Sequence, residues 1–142
     1  MAKSGRSEKA ILNDTLVSVT AAPETMAWRN NTGQAWAGQR IRMRPGAKIT
    51  VDGQVYTAAP NTVLMLQAQP ITFGLPGSGD ILGASAGRPL MIEVKDATGR
   101  QSEQQKACQR AWEAAGGVYL LVRDAEDARR QVEALNPLNV IG

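Results

Sequence analysis

No histidine occurs in the 142 residues of this chain. Its absence excludes His-dependent catalytic triads, HNH-type nuclease sites and HExxH protease sites, so hydrolytic chemistry would have to rest on carboxylates and lysine. Cysteine is almost absent too. Cys108 stands alone, which rules out an intrachain disulfide and, without histidine, an ordinary structural zinc site. No apolar run approaches the roughly eighteen residues of a membrane-spanning helix, and no signal-peptide pattern opens the chain. The expectation is a soluble, cytoplasmic protein with no membrane partner. The glycine-rich stretch Gly74 to Gly79 lacks the Gly-Lys-Ser/Thr ending of a nucleotide-binding P-loop, and Asp80 follows instead.

What is present is Gly74-Leu75-Pro76-Gly77-Ser78-Gly79-Asp80, followed thirteen residues after Asp80 by Glu93-Val94-Lys95. Strand side chains alternate faces, so Glu93 and Lys95 project together while Leu90, Ile92 and Val94 point into a core. If residues 80–84 pair with 89–95 as a hairpin, through either a four-residue loop over 85–88 or a tight Ala86-Gly87 turn, Asp80 falls opposite Glu93. Directly opposed carboxylates, with Cβ atoms roughly 4.5–5.5 Å apart, repel one another. A divalent cation between them turns that liability into a site, and few hard oxygen ligands suit Mg²⁺ or Mn²⁺. An acid-x-Lys triplet alone is expected about once by chance in a chain this long. The register with Asp80 is what distinguishes this one from a solvated surface hairpin.

These residues also resemble a family. Gly74 to Asp80, then Ile92-Glu93-Val94-Lys95, then Thr98-Gly99-Arg100-Gln101-Ser102-Glu103-Gln104-Gln105 are similar to the VRR-NUC branch of the PD-(D/E)XK nuclease superfamily. Ser7-Glu8-Lys9-Ala10-Ile11-Leu12 and Trp28-Arg29-Asn30-Asn31 look like that family's first helix and strand, and the resemblance covers most of residues 6–123 apart from a stretch near 34–70. It implies an α/β, restriction-endonuclease-like core with a central mixed sheet flanked by helices. It also implies Mg²⁺- or Mn²⁺-dependent DNA hydrolysis, with Asp80, Glu93 and the Val94 carbonyl holding the metal. Glu8 would take an outer or water-mediated metal role, Lys95 would act on the attacking water and the transition-state charge, and Gln105 would support the site from a helix. Structure-selective cleavage of branched DNA by a homodimer is the substrate picture it suggests. The alternatives are a non-catalytic DNA-binding module and a metal-dependent small-molecule phosphodiesterase.

Local signals place these residues. Ser7 can cap a helix to about Thr20, in which Glu8, Leu12, Leu16 and Val19 share a stripe. The plainer reading of Glu8 is an acid favoured at a helix N-terminus. A first strand is expected over Met26 to Asn30. Between about 34 and 70 the signals are β throughout: Arg40 to Arg44, Lys48 to Val51, an Asp52-Gly53 turn, Val55 to Thr57 and Val63 to Gln67. The expectation is an inserted β hairpin within one domain over 7–135, with a lead-in at 1–6 and a tail at 136–142.

A helix is expected over Ser102 to Ala115, with Cys108, Ala111, Trp112 and Ala115 inward. There Ser102 and Gln105 form a capping box, a role expected to conflict with support of the active site. Val118 to Val122 reads as a buried strand beside that of Glu93, and a last helix follows from Asp124 to Leu135. The formal charge of +3 and the alternation of Arg40, Arg42 and Arg44 on one strand face, with Lys48 near, suggest phosphate contacts. An edge strand kept soluble by charge is the other reading. Arg29 and Asn30 complete the candidate DNA contacts.

Overall fold

The structure, a computed structural model, describes residues 5–136. Its first helix, α1 (Glu8–Thr20), starts where Ser7 accepts a hydrogen bond from the Ala10 N–H at 3.3 Å. There follow β1 (Thr25–Arg29), β2 (Gly33–Arg42), β3 (Lys48–Val51), β4 (Gln54–Thr57), β5 (Val63–Phe73), β6 (Ile81–Ser85), β7 (Arg88–Val94), α2 (Glu103–Ala114), β8 (Val118–Val122) and α3 (Ala125–Glu133). The expected tail lies outside the described residues save Asn136, as does most of the lead-in.

Residues 5–32 and 74–136 make an α/β unit. Its four-stranded sheet has the order β1-β6-β7-β8, antiparallel except for the parallel pair β7 and β8, so it is mixed as expected. On one face, Ile81, Leu90, Ile92, Val94 and Val122 pack with Ile11, Leu12 and Val19 of α1 and with Ala128 and Val132 of α3. At about 1.5–3 kcal/mol per fully buried aliphatic side chain, this core fixes the register of β6 on β7. A slip of one residue would turn the whole set to the other face. β6 and β7 join through the Ala86-Gly87 turn, with Ser85 opposite Arg88, the tighter of the two expected connections.

The other face of β7 is also closed. Met91 and Glu93 are each 2% exposed, because α2 lies over them: Cys108 Sγ stands 4.0 Å from Met91 Sδ and Gln105 reaches Glu93. The inward stripe of α2 is Gln105, Cys108, Gln109 and Trp112, whereas Ala111 and Ala115 are exposed. The expected stripe is therefore displaced toward the helix start, since Gln105 points to the sheet. Trp112 Nε1 donates to the Val118 carbonyl at 2.9 Å and anchors the far end.

Residues Gly33–Phe73 form a compact unit of their own, more elaborate than one hairpin. β2 and β5 build a long antiparallel ribbon, and β3 and β4 a second hairpin between them. β2 begins before the expected Arg40 and β5 continues past Gln67, where a bulge with Gln67 at φ 51° absorbs an extra residue on β5. Arg44 lies beyond the end of β2, because Pro45 and Gly46 turn the chain there. Only Arg40 and Arg42 of the expected arginine row thus share the strand. Among the described residues no helix is long and apolar enough to cross a membrane.

Candidate active site

The β6–β7 ladder pairs Ile81 with Ile92. Carried one residue further, it sets Asp80 opposite Glu93, the register expected from the sequence. The glycine-rich loop delivers Asp80 there by close contact. A Cβ on Gly79 would stand 2.7 Å from the Ile92 carbonyl oxygen, and one on Gly77 2.8 Å from the Gln104 backbone and side chain. Protein atoms therefore fill the space beside these two glycines. Asn30 ties the loop down from β1: its amide donates to Ser78 Oγ at 2.7 Å and to the Gly79 carbonyl at 2.8 Å. Its side chain, a candidate DNA contact, is committed to positioning Asp80.

Three groups contact Glu93 or Asp80, and Glu8 joins them through Lys95. Lys95 Nζ lies 3.2 Å from Glu93 Oε1 and 3.8 Å from Glu8 Oε1, and Gln105 Nε2 donates to Glu93 Oε1 at 2.7 Å. The Val94 N–H donates to Asp80 Oδ2 at 2.8 Å. Because the N–H and C=O of a strand residue point to the same edge, the Val94 carbonyl faces the Asp80 side. Glu8 differs from expectation in one respect. It reaches Lys95, but its side chain is half exposed, so it stands at the rim and not in the buried stripe.

Gln105 performs two tasks the sequence reading set against each other. Its Oε1 accepts from the Ser102 N–H at 2.8 Å, and Ser102 Oγ accepts from the Gln105 N–H at 3.1 Å, while its Nε2 serves Glu93. An amide carries an acceptor and a donor on opposite arms, so both targets are met at once.

Electrostatics follow from burial. Desolvation pushes the Glu93 carboxyl up to about 7, the charge of Asp80 adds to the rise, and Lys95 opposes it. Asp80 is raised too, first by burial, against the Val94 N–H and Lys95. Glu93 Oε2 is buried with no hydrogen-bond partner. An orphaned carboxylate oxygen beside a second carboxylate and a strand carbonyl fits a hard divalent cation, which satisfies such an atom without a proton. Among the described residues no group of three or more acids, cysteines or histidines is placed to hold a metal ion. A site of two carboxylates suits a cation that keeps several waters.

Residues not foreseen brace this arrangement. Asp96 Oδ1 accepts from the Thr98 and Gly99 N–H groups at 3.0 and 2.6 Å, which hold its carboxyl below the usual range. Arg123 Nη1 donates to the Asp96 and Gly99 carbonyls at 2.5 and 2.8 Å. The loop so pinned lies against Lys95 and Glu8: a Cβ on Gly99 would be 3.2 Å from each. Gln101 Nε2 donates to Gln109 Oε1 and to the Tyr119 hydroxyl. Burial pushes that hydroxyl up to about 12. Alternation within Val118–Val122 would have put Tyr119 on the Glu93 face. Arg123 carries no local signal, since its partners lie in a loop more than twenty residues earlier.

Of the remaining candidate DNA contacts, Arg29 is exposed at the end of β1, near enough to Asp80 for its charge to be felt there. Arg40, Arg42, Arg44 and Lys48 are all exposed within the 33–73 unit. No protein-family model matches the chain, and no curated protein matches it either.

Proposed function

We propose that this protein is a Mg²⁺- or Mn²⁺-dependent deoxyribonuclease of the restriction-endonuclease-like type, acting as a homodimer on branched DNA. The observation that carries the reading is the opposition of Asp80 and Glu93 across the hairpin, with Lys95 on Glu93 at 3.2 Å. The likeness of residues 74–80, 92–95 and 98–105 to the VRR-NUC pattern supports it, and supplies the branched substrate and the dimer.

Asp80, the Glu93 Oε2 atom and the Val94 carbonyl would hold the cation. When bound, such an ion lowers the pKa of water and offsets phosphate charge, so no histidine base is needed. Gln105 fixes the Glu93 carboxylate by taking Oε1, which leaves Oε2 free to bind. Lys95, 12% exposed at its side chain, is a compact ammonium suited to orienting the attacking water and to stabilising the extra negative charge of the phosphoryl transition state. Glu8 at the rim holds Lys95 from the solvent side. Water adds at phosphorus and a sugar oxygen departs with a proton.

The test is a cleavage panel over linear, nicked, flapped and four-way DNA, with Mg²⁺, Mn²⁺ or EDTA, for the wild type and Glu93→Ala. Metal-dependent cleavage, greatest on branched substrates and lost in the variant together with Mn²⁺ binding, is expected. Cleavage by Glu93→Ala, or none of any DNA by the wild type, would overturn the reading. Hydrolysis confined to small phosphodiesters would replace it with another.

A further inference from the structure

The 33–73 unit contains Arg40, Arg42, Arg44 and Lys48 against one acid, Asp52. Its net charge of +3 equals that of the entire chain, so the rest is neutral overall. Along β2 the even-numbered residues share a face, because the bulge adds its extra residue to β5 and leaves the alternation of β2 intact. That face carries Trp36, Arg40 and Arg42. At about 3.4 Å per residue the arginines stand about 7 Å apart, with Trp36 about 14 Å before Arg40. The opposite face of the ribbon carries no charge, with Ala35 paired to Ile71, Ala37 to Gln69, Gln39 to Leu66 and Ile41 to Leu64. Trp36 is 62% exposed, an open indole toward one end of a face whose other end carries the two arginines. Arg42 also lines a cleft of about 980 Å³, where it is joined by Arg44 and by the apolar Met43, Pro45 and Pro60.

We infer that the 33–73 unit binds an unpaired nucleic-acid strand along the Trp36-Arg40-Arg42 face, with Trp36 stacking on a base and the strand continuing into the Arg42–Arg44 cleft. The inference rests on the nuclease reading for its biological sense and names the part of a branched substrate this unit takes. Positive charge alone would serve duplex as well. The exposed indole decides between them, because a duplex keeps its base faces stacked, whereas an unpaired base offers a π-face. Apolar side chains around two arginines suit bases and phosphates alternating along one strand.

The experiment measures anisotropy of a labelled twenty-nucleotide oligothymidylate and of a hairpin duplex of similar length, in EDTA and over a range of salt. Trp36→Leu is expected to weaken oligothymidylate binding about tenfold and duplex binding less than twofold, and Trp36→Phe to restore most of the loss. Arg40→Ala with Arg42→Ala should weaken binding and flatten the salt slope by about 1.4, at about 0.7 per phosphate contact on a single strand. Unchanged oligothymidylate affinity in Trp36→Leu, or an equal loss for duplex, would overturn the inference. So would a halving of the solution mass by Trp36→Leu, which would assign this face to a second copy of the chain. Because binding is read in EDTA, its outcome does not depend on whether any DNA is cut. Failure of the nuclease reading and failure of this inference are thus separable.

Discussion

Gln105 donates to Glu93 across 2.7 Å while its carbonyl arm closes the capping box of α2. The start of a helix and the orientation of a buried acid are thereby one structural event. Gln105→Leu keeps the volume and removes both bonds. A hydrogen bond to a charged group contributes about 1.5–3 kcal/mol, so a loss of at least that size is expected in urea unfolding, with cleavage falling in parallel. An unchanged unfolding midpoint would show that the amide is not a shared support.

In metal-free protein the Glu93 carboxyl lies at about 7, above its ordinary 4.5. The folded state then holds the proton more tightly than the unfolded one, and its stability contribution is complete below pH 4.5 and lost as pH rises through 7. The raised Asp80 acts in the same sense. Urea midpoints in EDTA should therefore fall between pH 5 and pH 8 in the wild type relative to Glu93→Gln. Parallel profiles for the two proteins would contradict this. Added Mg²⁺ should stabilise more at pH 8 than at pH 5, since the proton and the cation compete for one carboxylate.

Lys95→Met retains the stem and deletes the ammonium. Loss of a single charge-stabilising donor costs about 10²–10³-fold in kcat, and that is the expected drop, with Mn²⁺ binding preserved. If Mn²⁺ binding vanished as well, Lys95 would be holding the carboxylates in place and not acting in the reaction.

Arg123→Ala frees two carbonyls of the loop that borders Lys95 and Glu8. Faster hydrogen exchange at the Thr98 and Gly99 amides is expected, with β7 amides unaffected. Uniform acceleration across the sheet would mean that Arg123 supports the whole fold.

Much of this site was legible because a strand imposes strict alternation. Once Leu90, Ile92 and Val94 faced a core, Glu93 and Lys95 had to face away, and a tight turn at Ala86-Gly87 returned Asp80 to Glu93. Less legible was what covers the second face of β7. The polar stripe of α2 hides its burial role, since Gln105 and Gln109 give no hydrophobic signal. Alternation alone therefore did not show that Glu93 is as buried as its aliphatic neighbours. The ribbon between 33 and 73 was underestimated for a different reason. Pro70 and the bulge at Gln67 interrupt the pattern of β5, and the small, polar start of β2 conceals a strand fixed by its partner.

Gly33 is paired with Phe73, and a Cβ on Gly74 would collide with Thr32. The polypeptide thus departs from the α/β unit and comes back at a single doorway. For chain closure, forty-one residues cost little more than a short turn, because the entropy of joining two ends grows only with the logarithm of the span. Insertions of other lengths could leave and re-enter at the same threshold without redrawing a single strand of the four-stranded sheet.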